Sequence, residues 1–305
     1  MNIIQNNTLY IEPDYELCQS IDALNRPKTW SDNFLWNKSN KVDGVSGQNQ
    51  LIETILSLDC VCICGEPGCG KSRLIKEIAG KSVCRVQTFT EIASDKKKFD
   101  DSCDIIILDA LDEISELLIV NALKEIASLR DKGKKVYFSC RKHYIERFAE
   151  NFNSIQTLCY VKLLPFDETR INRYVSNNVA DETPRKNLQA LRKANETVRR
   201  ICTTPRYLEY LVAYAEGSSA DSLKDGSVLE RIFDYVIERD FETELKKGED
   251  GKNLDLKYVV RSVLEKIALL MSIRRTDSLT KSELYATLDN IQGSFITTLV
   301  SLKLC

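Results

Sequence analysis

Between residues 45 and 165 short apolar runs alternate with stretches in which apolar residues recur at helical spacing. Cys60-Val61-Cys62-Ile63-Cys64 lies between Asp59 and Gly65 and reads as a strand buried on both faces. Further strands are predicted over 83–89, 104–109, 135–140 and 157–164. From Lys71 onward, Leu74, Ile75, Ile78 and Ala79 share one helical face, with Gly80 as the expected C-cap. Another helix is predicted over 115–130. This alternation argues for a parallel sheet in a three-layer α/β fold. Residues 167–216 read as helical, with Leu208, Leu211 and Val212 as an apolar stripe. A helix is expected over 227–244, with Leu229, Ile232, Phe233, Val236 and Ile237 buried. A charged, glycine-containing loop follows at 246–253, then an amphipathic helix at 256–271. Thr280 and Glu283 have capping-box spacing at the start of a last helix. Residues 1–44, with Pro13, Pro27, Trp30 and Trp36, read as an extended arm that packs on the core or on a partner.

Composition narrows the class. A chain of 305 residues suits two or three compact units. The net charge is −2 and the pI about 5.8, so no electrostatic footprint for nucleic acid is indicated, where a domain pI above about 9 is usual. No apolar run reaches the ~18 residues of a membrane span. The start, Met1-Asn2-Ile3-Ile4-Gln5-Asn6, lacks the charged and apolar regions of a signal peptide. A cytoplasmic protein with no membrane partner is the expectation. The 11 cysteines include no C-x₂-C pair, and the only histidine is His143, so no metal-binding spacing is present. Cys60, Cys62 and Cys64 alternate and would share one face of a strand as packed thiols.

The chemistry starts at Gly65-Glu66-Pro67-Gly68-Cys69-Gly70-Lys71-Ser72, which fits G-x-x-x-x-G-K-[S/T] between a predicted strand and a predicted helix. Glycines let backbone N–H groups wrap an anion, and the helix N-terminus adds partial positive charge. Lys71 is expected to reach the β- and γ-phosphates and the Ser72 hydroxyl to sit on Mg²⁺. Asp104-Ile105-Ile106-Ile107-Leu108-Asp109 reads as a central strand whose last acid is the second Mg²⁺ ligand. Asp112 or Glu113 would orient or deprotonate an attacking water, and both acids also suit the start of the following helix. Cys69 lies in the loop near a helix N-terminus, where thiol pKa tends to fall. It is either a redox-sensitive contact or a variable loop position.

Asp109-Ala110-Leu111-Asp112-Glu113, after four apolar residues, resembles the extended Walker B motif of the NACHT group of STAND signalling ATPases, relatives of the AAA+ proteins. Four further segments fall in the order of that group. Val45–Leu51 resembles its entry segment, and Lys134–Arg141 its sensor strand. Leu163–Glu168 resembles the exit to a helical lid, and Thr203-Thr204-Pro205-Arg206-Tyr207-Leu208 the lid's Gly-x-Pro motif. Gln48 stands where arginine is usual and Thr203 where glycine is usual.

The resemblance implies an N-terminal extension over 1–44, a P-loop NTPase core over 45–165 and a helical lid over 166–225. A helical, winged-helix-like region would occupy 226–305, with little room for a wing, as in a truncated module. It also implies an ATPase that uses Mg²⁺ with ATP or ADP, closes its lid according to the nucleotide, and self-associates or binds a protein partner on activation. Antiviral defence or cell-death signalling is the implied setting. In that scheme Arg141 reports the γ-phosphate, or forms a surface ion pair, and Pro205 packs on the adenine edge, or simply starts a helix. Arg147 is an assembly arginine or part of a solvated face.

Three other readings remain open at this level. Asn40-Lys41-Val42-Asp43 matches a guanine-reading N-K-x-D, yet no glycine occupies the fourth place of Asp109-Ala110-Leu111-Asp112. A AAA+ loader or initiator ATPase acting on DNA fits the tail better than it fits Ala110. A module that binds ATP without turnover would keep Lys71, Ser72 and Asp109 and need no catalytic acid.

Overall fold

The computed structural model describes residues 10–25, 50–82, 84–95, 102–217, 230, 231, 234, 264–273 and 279. The chain divides into two compact units, Met1–Glu216 and Gly217–Cys305. In the second, 264–273 is helical, within and just beyond the helix expected at 256–271. The expected capping box at Thr280, most of the 227–244 helix, Gln48 and the N-K-x-D segment lie outside the described residues.

The first unit is built on a six-stranded sheet of order β1-β6-β2-β5-β4-β3. Its strands are β1 (Tyr15–Cys18), β2 (Cys60–Cys64), β3 (Val86–Thr88), β4 (Ile105–Asp109), β5 (Lys135–Cys140) and β6 (Leu158–Leu163), and the helices between them include the short α1 (Ile21–Asn25), α4 (Phe89–Asp95), α6 (Lys142–Arg147) and α7 (Ala149–Asn153). Strands β2 to β6 pair in parallel. All five residues of β2 are buried, as a central parallel strand covered on both faces requires. Strands β2 to β6 start and stop within three residues of the sequence expectation, and β1 has no counterpart there.

Alternation along the strands feeds two apolar layers. Cys60, Cys62 and Cys64 face one side with Ile106, Leu108, Val136, Phe138 and Cys140. There they meet Ile119, Leu123 and Ile126 of α5 (Glu116–Asp131). Val61, Ile63, Ile107, Tyr137 and Val161 face the other side, against Leu51, Ile52 and Ile55 of α2 (Gln50–Ser57) and Leu74, Ile75 and Ile78 of α3 (Lys71–Ser82). The core is therefore a three-layer α/β fold of P-loop type, and a run of helices follows it.

Two features differ from the sequence reading. Gly80 is not a cap: α3 continues through it to Ser82, and Cys84 donates back to the Ala79 carbonyl at 3.2 Å. A glycine inside a helix loses only about 1 kcal/mol against alanine, which the buried stripe of α3 outweighs. The arm is also more than an arm. Its residues 15–18 add β1 antiparallel to β6, with Tyr15 beside Leu163. The Glu12 carboxylate accepts the Leu51 and Ile52 N–H groups at the start of α2, at 2.7 and 3.3 Å. After the sheet come α8 (Glu168–Asn178), α9 (Glu182–Ala194), α10 (Glu196–Ile201) and α11 (Pro205–Gly217). Arg170 on α8 donates to the Glu12 carbonyl at 2.9 Å and pairs with Asp14 at 2.6 Å, so the N-terminal segment joins α2, the sheet edge and α8.

Candidate functional site

The glycine loop turns from the carboxyl end of β2 into α3. Gly68 (φ 77°) and Gly70 (φ 100°) both lie in the left-handed region, where a side chain is strained. Their freedom lets the chain reverse tightly enough to start α3 at Lys71, with Leu74 N–H on the Gly70 carbonyl at 2.9 Å. The Lys71 ammonium folds over the loop and donates to the Gly65 and Glu66 carbonyls at 2.9 and 3.1 Å. Glu66, Pro67 and Ser72 are exposed, whereas Gly65 is buried.

Cys69 departs from expectation. It is 5% exposed, joins the α2–α3 apolar cluster, and a Cβ on Gly65 would lie 2.7 Å from its Sγ. Burial pushes its thiol pKa up, and the nearby Lys71 only partly opposes that. The depressed thiol anticipated from the loop position is therefore corrected: desolvation outweighs the helix terminus. All the described cysteines are free, and Cys103 is exposed. At pH 8, iodoacetamide is expected to alkylate Cys103 at least tenfold faster than Cys69. Peptide mapping by mass spectrometry would show it, and comparable rates would mean that the loop opens.

The acids gather at the carboxyl end of β4. Asp109 is 8% exposed, and its Oδ1 accepts the Ser139 hydroxyl. The next residue, Ala110, has φ 63°, a left-handed conformation that costs a non-glycine residue about 1–2 kcal/mol. Two bonds hold it: its N–H donates to Ser139 Oγ at 2.8 Å, and its carbonyl accepts the Glu113 N–H at 3.0 Å. The turn places Leu111 in the core and Asp112 and Glu113 on a short 3₁₀ helix, Leu111–Glu113. Asp112 Oδ1 accepts the Arg141 backbone N–H at 3.1 Å, and its Oδ2 meets Arg141 Nε at 2.8 Å. The Asp112 side chain is 6% exposed. Arg141 thus sits beside the acids, with Asp112 as its ion-pair partner. Glu113 is exposed at the end of the turn. Arg147 forms an exposed ion pair with Glu116, a contact worth under about 1 kcal/mol.

The helices reach the loop directly. The Arg206 N–H donates to the Gly68 carbonyl at 3.2 Å, and a Cβ on Gly68 would lie 3.0 Å from Arg206 Cβ and 3.2 Å from Thr204 Cγ2. Pro205 opens α11 between these two contacts, in the first-turn position that suits proline. The Thr203 carbonyl accepts the Phe166 N–H at 2.7 Å, which ties the same segment to the exit from β6.

Sequence reasoning missed Ser139 and the Gly68–Arg206 contact. For Ser139 a signal existed: a polar residue interrupts Val136-Tyr137-Phe138-Ser139-Cys140, and a hydroxyl in a fully buried strand needs a partner. For the contact no local signal exists.

A hard divalent ion fits the donors present. α3, with the Ser72 hydroxyl in its first turn, packs against β4, which ends on Asp109. Beyond the Ser139 bond to Oδ1, no hydrogen bond or ion pair occupies Asp109 among the described residues. No cluster of three or more His, Cys, Asp or Glu that could hold a metal occurs among those residues. Magnesium typically binds through one or two carboxylates together with substrate phosphates rather than in an all-protein cage.

No protein-family model matches the chain, and no curated protein does. Solved structures resemble it weakly. The RuvB Holliday junction branch migration motor of Thermotoga maritima aligns at 13% identity and TM-score 0.37, covering 84% of this chain and 87% of that one. A Walker-type ATPase of Pyrococcus abyssi aligns at 12% identity and TM-score 0.42, covering 80% and 88%. The sheet order and the glycine loop themselves define the fold. No helix among the described residues is long and apolar enough to cross a membrane.

Proposed function

We propose that this chain binds Mg²⁺ with ATP or ADP and hydrolyses ATP slowly, as a signalling switch of the NACHT and STAND type. The observation that carries the reading is the glycine loop at the N-terminus of α3, with α3 packed on β4 and its terminal Asp109. Gly65 to Ser72 wrap the phosphates, and Lys71 exchanges its loop carbonyls for the β- and γ-phosphates. Ser72 and Asp109 would hold Mg²⁺, which when bound neutralises charge on the β- and γ-phosphate oxygens. Glu113 orients the attacking water, because Asp112 is engaged by Arg141.

The switch lies in two contacts. Arg141 is 43% exposed, so it is free to exchange Asp112 for a γ-phosphate. The Gly68–Arg206 bond makes the phosphate loop and the start of α11 neighbours. In this reading Pro205, next to that bond at the start of α11, would pack on the adenine edge. A ligand shifts a two-state equilibrium only through its differential affinity, and γ-phosphate contacts of Lys71, Arg141 and Mg²⁺ would supply the difference between ATP and ADP. In this reading residues 45–165 are the core, 166–225 the lid and 226–305 the winged-helix-like region. Self-association of the ATP form, in a defence setting, is what the resemblance adds.

The test is equilibrium binding of a fluorescent ATP analogue with Mg²⁺, competed by ATP, ADP and GTP, together with phosphate release. Competition by ATP and ADP at micromolar concentration, with GTP at least tenfold weaker, is the expected result. Absence of binding, or preference for GTP, would overturn it.

A further inference from the structure

We infer that Ser139 is the positioning residue of this site: one buried hydroxyl fixes both the metal-binding carboxylate and the turn that carries the catalytic acid. The inference rests on the Mg²⁺-nucleotide reading above and concerns a residue that neither the loop motif nor the acid motif contains.

The register of the sheet puts Ser139 there. β5 pairs with β4 so that Leu108 lies beside Phe138, and the next positions along are Asp109 and Ser139. β5 also pairs with β2, with Ile63 beside Ser139, one residue before the strand ends at Cys64. Ser139 therefore stands between the strand that leads into the phosphate loop and the strand that ends on the metal ligand. It is 1% exposed, so its hydroxyl has no recourse to water and must be satisfied by protein.

Both capacities of the hydroxyl are used. It donates to Asp109 Oδ1 and accepts the Ala110 N–H at 2.8 Å. The first bond fixes the rotamer of the carboxylate and takes up one oxygen, leaving Oδ2 as the oxygen to meet an ion. The second holds Ala110 at φ 63°, a conformation alanine does not choose unaided. Ala110 in turn holds Glu113 through its carbonyl, and the same turn carries Asp112 to Arg141. Metal ligand, acid and arginine thus share one support. Outer partners of metal-binding side chains orient them, and losing one typically costs 10–100-fold in metal affinity.

The test uses the full chain with Ser139→Ala and Ser139→Thr, titrating Mg²⁺ against a fixed concentration of fluorescent ATP analogue. A parallel titration of nucleotide in EDTA reads loop binding without metal. Ser139→Ala is expected to raise the Mg²⁺ concentration for half-maximal binding by about tenfold or more, with EDTA affinity within about twofold of wild type. Ser139→Thr, which keeps the hydroxyl, is expected to restore the wild-type midpoint. A merely structural serine would lower thermal stability and leave that midpoint unmoved, which would overturn the inference. So would failure of the threonine variant to restore it. Should Ser139→Ala not fold, Ser139→Cys, close in size but a weak donor, must show the same shift in part, and an unchanged midpoint there overturns the inference equally. If wild type binds no nucleotide with or without Mg²⁺, the proposed function falls and this inference with it. If wild type binds Mg²⁺-nucleotide normally and only the Ser139 shift is missing, the inference alone falls.

Discussion

Lys71→Ala is expected to weaken binding of ATP and ADP by about 100-fold or more, enough to abolish it in a micromolar titration. Among the described residues, its ammonium is the side-chain cation folded onto the glycine loop, on the Gly65 and Glu66 carbonyls. Hydrogen bonds to charged groups are worth about 1.5–3 kcal/mol each, and removing the bonds to both the β- and the γ-phosphate accounts for that factor. The carbonyls Lys71 leaves behind belong to a loop whose tip is exposed, so water can replace it. Thermal stability is therefore expected to change by no more than about 1 kcal/mol. Titration with the fluorescent analogue, alongside a thermal melt, separates lost binding from lost fold. A loss of less than tenfold in a folded variant would remove the phosphate-loop reading.

Glu113→Gln is expected to lower the rate of phosphate release by about 10²–10⁴-fold while nucleotide affinity stays within a few-fold, the range for losing a positioned general base. Asp112→Asn is expected to behave differently. Both oxygens of Asp112 are committed to Arg141, and its side chain is 6% exposed against 43% for the arginine. Removing its charge loosens the start of the helix after β5. With the arginine half in solvent, the cost is about 1–2 kcal/mol of stability. Turnover falls less than in Glu113→Gln, and Arg141 becomes more available to a γ-phosphate. Single-turnover assays on both variants decide the matter. If Asp112→Asn abolishes turnover and Glu113→Gln does not, the roles are exchanged; if neither slows it, the water is activated elsewhere.

Each acid assignment depended on how much of the site could be read before folding. The octapeptide, its flanking strand and helix, and Asp109 at the end of a four-residue apolar run were all legible. Asp112 and Glu113 could not be ranked, because adjacent acids look alike until one of them finds Arg141, 29 positions away. Cys69 stays open between two readings in the sequence for a related reason. Its sequence position speaks of a helix terminus, but its pKa is governed by burial beside Gly65 in the apolar cluster of that face of the sheet. β1 escaped notice because Tyr15–Cys18 is an edge strand with only its last residue buried, which leaves little alternation to detect.

What the chain determined by itself is the local part: five parallel strands, the helix at Lys71, and a glycine loop able to adopt left-handed turns. Each follows from hydrophobic periodicity or from glycine's lack of a side chain, and both act within a few residues. What only the tertiary structure decided is pairing at a distance. Ser139 meets Asp109 because parallel register aligns β4 with β5, and Arg206 meets Gly68 because the helices after β6 return to the loop. Side-chain partnership depends on register and packing, where a shift of one residue turns every side chain to the other face of the sheet.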